Sequence, residues 1–244
     1  MIGGGVVGCA IARKLSHYQL AVCLIEGQPD VGMGTSKANT AILHTGFDAT
    51  PGSLEATLLR RSYPLLRAYC DETGIAYRTN GALMVAWNQD QLARLPGIEE
   101  NARRNGVSGI ERQTPEQIHS LEPNLAADAL GGLLIRDEGI LCPFSPVLAF
   151  AMEAKSNDVQ FFLGSPVRAI RRELHRHYIE TERQGIEARW VVNAAGLFSD
   201  EIDRLLGKSR FRVHPRRGEL IVFDKFASAL LRHTILPIPS EKTK

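Results

Sequence analysis

Three glycines spaced G-x-G-x-x-G, Gly3, Gly5 and Gly8, open the chain, and the run from Val6 to Leu15 that follows has helical spacing with small residues on one face. In a nucleotide-binding βαβ unit the first glycine makes the tight turn, the second lets the backbone approach a pyrophosphate, and the third allows close contact between helix and strand. The helix N-terminus then faces the phosphate charge. After the helix, Ala21-Val22-Cys23-Leu24-Ile25 reads as a short apolar strand ending in Glu26, 26 − 8 = 18 residues past Gly8. That offset is close to the roughly 20 residues expected for a carboxylate that accepts the ribose hydroxyls. Glu26 in place of an arginine favours a free ribose diol, as in FAD or NAD, over a 2′-phosphate.

The next segment bears on which of the two. A nicotinamide-type unit goes on to a third strand soon after the acid. Here the chain enters Gly32-Met33-Gly34-Thr35-Ser36-Lys37-Ala38-Asn39-Thr40, rich in glycine and hydroxyls. Such a loop can offer backbone N–H groups and the Thr35 and Ser36 hydroxyls to a second phosphate or to a flavin edge. The plainer alternative is a solvated loop.

Composition narrows the class. Of 244 residues, 44% are apolar and 23% charged, enough for a sizeable core and too apolar for disorder. A net charge of +2 supplies no global field to gather nucleic acid, so no nucleic-acid partner is expected. The cysteines Cys9, Cys23, Cys70 and Cys142 make no C-x-x-C pair, which leaves neither a zinc knuckle nor a dithiol motif, and no metal site is expected. A reducing compartment fits them best, and the chain is expected to be cytoplasmic, without a transmembrane segment. Peripheral membrane association and self-association stay open. Met1-Ile2 runs straight into the glycines without room for a full strand, so a chain truncated at its N-terminus is expected.

Further along, Pro51-Gly52-Ser53 precedes a helix expected from Leu54 to Glu72, kinked at Pro64 and stopped by Gly74. Asn80-Gly81 between two apolar runs is a hairpin signal. Thr114, Pro115 and Gln117 form a capping box, and Glu122-Pro123 ends that helix. Strands are expected at 130–135, 159–163, 167–172, 178–181, 188–192 and 220–223, and helices from Ser145 to Ser156 and from Phe198 to Leu206. The basic cluster Arg168, Arg171, Arg172, His175, Arg176 and His177 reads as a solvated hairpin. The fold expected is α/β, a Rossmann-like domain (1–74 and 137–207) interleaved with an antiparallel-sheet substrate domain (75–136 and 208–244).

Several stretches across nearly the whole chain carry a resemblance. They are the glycine loop through Glu26, Thr35 to Gly46 with Phe47 to Leu54, Glu138 to Pro143, Val191 to Gly196, and His214 to Glu219. In these the chain resembles FAD-dependent oxidoreductases of the D-amino-acid oxidase type, most of all the glycerol-3-phosphate dehydrogenase and L-2-hydroxyglutarate oxidase branch. The resemblance implies FAD as cofactor, with Ser36 at the pyrophosphate, Asn39 and Thr40 beside the flavin, the Val167 strand at the adenine, and Ala195-Gly196 against the nucleotide. It puts His44 where the family has a His-x-Gly close to the ring. Family members run longer and close the flavin pocket with a second glycine-rich segment, so truncation at the C-terminus is expected too.

The activity implied is oxidation of a small anionic hydroxy-compound, glycerol 3-phosphate ahead of 2-hydroxyglutarate, by hydride transfer to flavin. The electron acceptor that follows is unknown. His44 is the candidate for the proton role, because an ordinary histidine pKa of about 6.5 suits a base near neutrality. Arg216 or Arg217 could clamp a phosphate or carboxylate through paired N–H donors. Two alternatives stand beside this: an amine or amino-acid oxidase on the same fold, and a truncated remnant without catalysis.

Overall fold

The computed structural model describes residues 1–239. In chain order the elements are α1 (Val6–Ser16), β1 (Cys23–Ile25), β2 (Ile42–Leu43), α2 (Leu54–Thr73), β3 (Tyr77–Arg78), β4 (Ala82–Ala86), α3 (Gln89–Arg104), β5 (Ile110–Gln113) and α4 (Pro115–Leu121). There follow β6 (Gly131–Ile135), β7 (Gly139–Leu141), α5 (Ser145–Ser156), β8 (Gln160–Phe162), β9 (Val167–Glu173), β10 (Arg176–Thr181), β11 (Gly185–Ala188), α6 (Ser199–Leu205) and β12 (Thr234–Pro237). The chain makes two compact units, one from residues 1–40 with 143–220 and the other from residues 41–142 with the described part of 221 onward.

The first unit is layered. β1 pairs in parallel with β8, and Ile2 bridges in parallel to both Ile25 and Asn193, so the strand segments run in the order β8, β1, Ile2, Asn193. Side chains alternate across the strand. Leu24 faces one way, into a cluster with Cys9 and Ala12 of α1 and Val147, Ala151 and Ala154 of α5. The last three recur at i, i+4 and i+7, the spacing of one helix face. Ile25 and Ile2 face the other way, against Ile179 of β10 and Ile202 of α6. The antiparallel sheet β11-β10-β9 covers that side. Its basic cluster is a solvated hairpin in the structure: Arg168 pairs with Glu182, Arg171 with Glu180 and Arg176 with Glu187, all on exposed side chains.

The second unit is built on the sheet β12-β4-β6-β5. Every residue of β4 and β6 is buried, because the sheet carries a core on each face. Met84, Leu133 and Ile135 pack with Leu95 and Ala102 of α3, and Leu83, Val85 and Leu134 pack with Ile118 of α4. The expected capping box opens α4, with Thr114 and Gln117 bonded reciprocally. α2 runs through Pro64 from a Ser53 cap to Gly74, whose φ of 70° supplies the left-handed stop. A small antiparallel sheet, β2-β7-β3, completes the unit.

Several expectations are corrected by pairing. Gly81 takes a positive φ of 71°, as a turn glycine should, yet β3 and β4 do not form a hairpin: β3 pairs with β7 and β4 with β6. β12 joins β4 in parallel, so this sheet is mixed where an antiparallel one was expected. Residues 220–223 are exposed and belong to no strand, and the strand expected at 188–192 is replaced by β11 and the single bridge at Asn193. β5 was not anticipated. The contacts also group 41–74 with the second unit, where a boundary at 74 was expected, because Asn105 Nδ2 donates to Gly46 and Ala49 and β2 pairs with β7.

Candidate functional site

In the first unit the glycine loop is a close-packed turn. Gly3 has φ +106°, and a Cβ there would lie 2.3 Å from the Ala194 carbonyl oxygen. A Cβ on Gly8 would lie 1.9 Å from the Gly3 oxygen. Gly5 leads into α1 in extended conformation, and α1 has neither a side-chain cap nor an acid in its first turn. Ser36 lies alongside, its Oγ accepting from Val6 N at 2.9 Å. Glu26 ends β1 half-buried, its carboxylate accepting from Gly4 N at 2.5 Å and from Gln28 N at 2.8 Å. Cys9 beneath the loop is inert: burial pushes its thiol up to about 12, and its Sγ donates to the Gly4 carbonyl at 3.3 Å.

The structure thus brings Gly3, Gly5, Gly8, Glu26 and Ser36 together, with Ala195 beside Gly3 and Gly196 next in sequence at φ +57°. Ser165, two residues before Val167, donates its N–H to the Glu26 carbonyl at 2.8 Å, and Val167 itself packs against the cluster of Ile2 and Ile25. Thr35 opens the short 3-10 turn that carries Ser36, and Asn39 Nδ2 donates to the Ser36 carbonyl at 2.9 Å. Thr40 is exposed at the edge of the unit. Arg216 and Arg217 lie on an exposed run without helix or strand, and Arg217 pairs with Glu219 at 3.0 Å.

In the second unit His44 sits between two carboxylates. Its Nδ1 meets Glu138 Oε1 at 3.0 Å and its Nε2 meets Asp48 Oδ1 at 3.1 Å. Glu138 is 1% exposed, and the same oxygen accepts from Thr45 N and Thr45 Oγ1, both at 2.6 Å. Phe47 stacks edge-on against the imidazole, with ring centroids 5.4 Å apart. Burial by itself would lower the histidine pKa, but the hydrogen bonds and charges of Asp48 and Glu138 outweigh it and raise it from 6.5 to about 10. The two carboxylates thus favour the protonated ring, against the ordinary imidazole pKa of about 6.5.

Comparison with known proteins gives the family. The model of the FAD dependent oxidoreductase family (DAO) matches residues 1–244. The chain belongs to the FAD-dependent oxidoreductase family. It is 34% identical over 244 residues to a glycerol 3-phosphate dehydrogenase of Caloramator mitchellensis, covering all of this chain and 51% of that protein. It is 30% identical to the mitochondrial L-2-hydroxyglutarate dehydrogenase of Homo sapiens, over 99% of this chain and 55% of that one. The solved structure of L-α-glycerophosphate oxidase from Mycoplasma pneumoniae, with FAD bound, superposes with a TM-score of 0.87 at 25% identity, covering 100% of this chain and 65% of that one. The glycine oxidase of Geobacillus kaustophilus shares the fold, with a TM-score of 0.82 at 23% identity over 97% of this chain and 64% of that one. The chain spans about half the length of the curated relatives it matches.

The residues present fit FAD as the family cofactor. Gly3 and Gly8 leave no space for a Cβ, so the turn and the helix start keep their backbone close together. A helix start whose own first turn carries no acid, with the Ser36 hydroxyl on its first N–H, suits a pyrophosphate. A carboxylate at the end of β1 suits a ribose diol.

Three polar residues at the cores of these arrangements carried no expected role. Glu138 and Asn105 hold the His44 loop, and Glu122, 0% exposed, accepts from Arg232 N, His233 N and His233 Nδ1 at 2.8, 2.6 and 2.7 Å. Glu138 falls in a stretch that resembles the family, which was the available signal. Glu122 reads in sequence only as the end of a helix before a proline. Among the described residues no helix is long and apolar enough to cross a membrane.

Proposed function

We propose that this chain carries the FAD-binding machinery, and part of the substrate machinery, of an oxidoreductase acting on a small anionic hydroxy-compound, with glycerol 3-phosphate ahead of 2-hydroxyglutarate. The observation that carries the order is the 34% identity to a glycerol 3-phosphate dehydrogenase along the entire chain, against 30% for the human L-2-hydroxyglutarate dehydrogenase. Bound FAD supplies the two-electron acceptor for the hydride.

The chain's own residues do the rest. In this reading the N–H groups after Gly5 and the Ser36 hydroxyl hold the pyrophosphate, with Gly3 and Gly8 keeping the turn tight, and Glu26 takes the ribose. Thr35, Asn39, Thr40, Val167, Ala195 and Gly196 line the nucleotide and flavin. His44 handles the proton of the substrate hydroxyl, with Asp48 and Glu138 on its two ring nitrogens setting the proton affinity of the imidazole. Arg216 or Arg217 clamps the anionic group through paired donors, and Arg217 must leave Glu219 to do so.

The test is anaerobic reduction of the FAD-reconstituted chain by a panel of glycerol 3-phosphate, L-2-hydroxyglutarate, glycine and proline. Fastest bleaching by glycerol 3-phosphate is the expected result. Bleaching by the amino acids alone would replace this reading with an amine oxidase.

A further inference from the structure

The turn between β10 and β11 is built around one buried threonine. The register of β9 against β10 shifts between Glu180 and Thr181, a bulge of the kind that re-aims a side chain. Thr181 is 7% exposed, and its N–H and Oγ1 both donate to the Gln184 carbonyl, at 3.0 and 2.9 Å. The same Oγ1 accepts from Arg183 N at 3.2 Å and from Gln184 N at 3.0 Å. These bonds fix the tip that carries Arg183. Glu182, its neighbour in sequence, is turned to Arg168, whose Nε donates to it at 2.9 Å. The Arg183 guanidinium lies instead over the segment after β8: Nη1 donates to the Leu163 carbonyl at 3.4 Å, and a Cβ on Gly164 would stand 3.1 Å from Nη2. Gly164 has φ +58°, so its residue type and its backbone together leave room for the cation.

That place lies on the rim of the nucleotide site, within the first unit. Ligands of an open α/β sheet bind at the carboxyl ends of its parallel strands. Along that rim stand the glycine loop after Ile2, Glu26 at the end of β1, and residues 163–165 just past β8. The three are bonded in series: Gly4 N donates to the Glu26 carboxylate at 2.5 Å, Ser165 N to the Glu26 carbonyl at 2.8 Å and Gly164 N to the Gln28 carbonyl at 2.7 Å. A dinucleotide laid with its pyrophosphate on the glycine loop and its ribose on Glu26 carries its base onward to the third position. We propose that Arg183 is the cation of the base pocket, its planar guanidinium set against the adenine of FAD, and that the Thr181 turn holds it there; this rests on the FAD-binding part of the function proposed above. A guanidinium suits a purine because it stacks on the ring face and donates in its own plane to ring nitrogens. The contact to Leu163 is long for a hydrogen bond, so the head group settles on the base at small cost.

The experiment titrates the chain with FAD, ADP and FMN, with ADP read by its displacement of FAD and the recovery of flavin fluorescence. Arg183→Ala should weaken FAD and ADP alike by about 3- to 30-fold and leave FMN, which lacks the adenosine, within about twofold. Its melting temperature should not move, since the side chain is exposed. Arg183→Lys, which keeps the charge and loses the plane, should follow alanine. Thr181→Val removes the hydroxyl that holds the turn; it should weaken ADP in the unaltered background and add nothing in Arg183→Ala, as a residue acting through the arginine must. An equal cost in both backgrounds would overturn that positioning role. ADP affinity unchanged in Arg183→Ala overturns the base-pocket cation, as does an equal loss for FMN or full affinity in Arg183→Lys. An unaltered chain that binds neither FAD nor ADP overturns the FAD-binding reading itself, and the base pocket with it.

Discussion

Replacing Gly8 with alanine should damage cofactor binding more than folding. The added Cβ would stand 1.9 Å from the Gly3 carbonyl oxygen, and since Cβ contacts under 3.0 Å are essentially never seen, helix and turn must part by at least 3.0 − 1.9 = 1.1 Å. Gly3 has little freedom to move: its N–H donates to Ile25 at 2.8 Å, and its own Cα faces the Ala194 carbonyl. The start of α1 therefore shifts. Overpacking of this kind costs about 1–3 kcal/mol. Alanine in place of glycine in a helix recovers about 1 kcal/mol of that. The net loss of stability is then about 0–2 kcal/mol, a drop in Tm of no more than ~8 °C for a chain of this size. Displacing one N–H from a phosphate costs about 1.5–3 kcal/mol, which is a roughly 10- to 100-fold weaker Kd for FAD. Quenching of flavin fluorescence on titration with apoprotein, beside a thermal melt, measures both quantities. FAD affinity within twofold of the unaltered chain would refute the argument that this turn is built for close backbone approach to the cofactor.

Three further outcomes follow from the same structure. His44 has its pKa raised from 6.5 to about 10 in the folded chain, so the stability it contributes is fully present below pH 6.5 and lost as pH rises towards 10; melts across that range should show the decline, and His44→Asn should flatten it. Ser53→Ala removes the acceptor for Ala56 N at the start of α2 and should cost about 1 kcal/mol in denaturant unfolding, with FAD affinity unchanged. Gly97 lies inside α3 with nothing within 4 Å of where a Cβ would be, so Gly97→Ala should stabilise the chain by about 0.5–1 kcal/mol, and a loss on chemical denaturation would contradict it.

What could be read from the sequence was what the backbone demands locally. The glycine loop and Glu26 announce themselves because a tight turn, a close helix start and a strand-end acid each need particular residues at fixed offsets. The capping box of α4 and the Gly74 stop were legible for the same reason. Non-local pairing was not. Glu138 lies 94 residues from His44, and nothing around either residue announces that they meet. The consequence was large, since the two carboxylates raise the proton affinity of a ring that sequence alone gives an ordinary pKa. Asn80-Gly81 shows the same limit: Gly81 adopts the positive φ its type suggests, but the sheet decides that the strands on either side pair elsewhere. Leu220 to Phe223 has the apolar character of a strand, and character alone does not supply a neighbour.

The function proposed for this chain is electron transfer to bound FAD from an anionic hydroxy-compound. The most direct test is the visible spectrum of the purified chain reconstituted with FAD, before and after anaerobic addition of glycerol 3-phosphate. The account predicts a protein-bound flavin spectrum that bleaches near 450 nm. A chain that takes up no flavin, or a bound flavin that stays oxidised with glycerol 3-phosphate and with L-2-hydroxyglutarate, would contradict it.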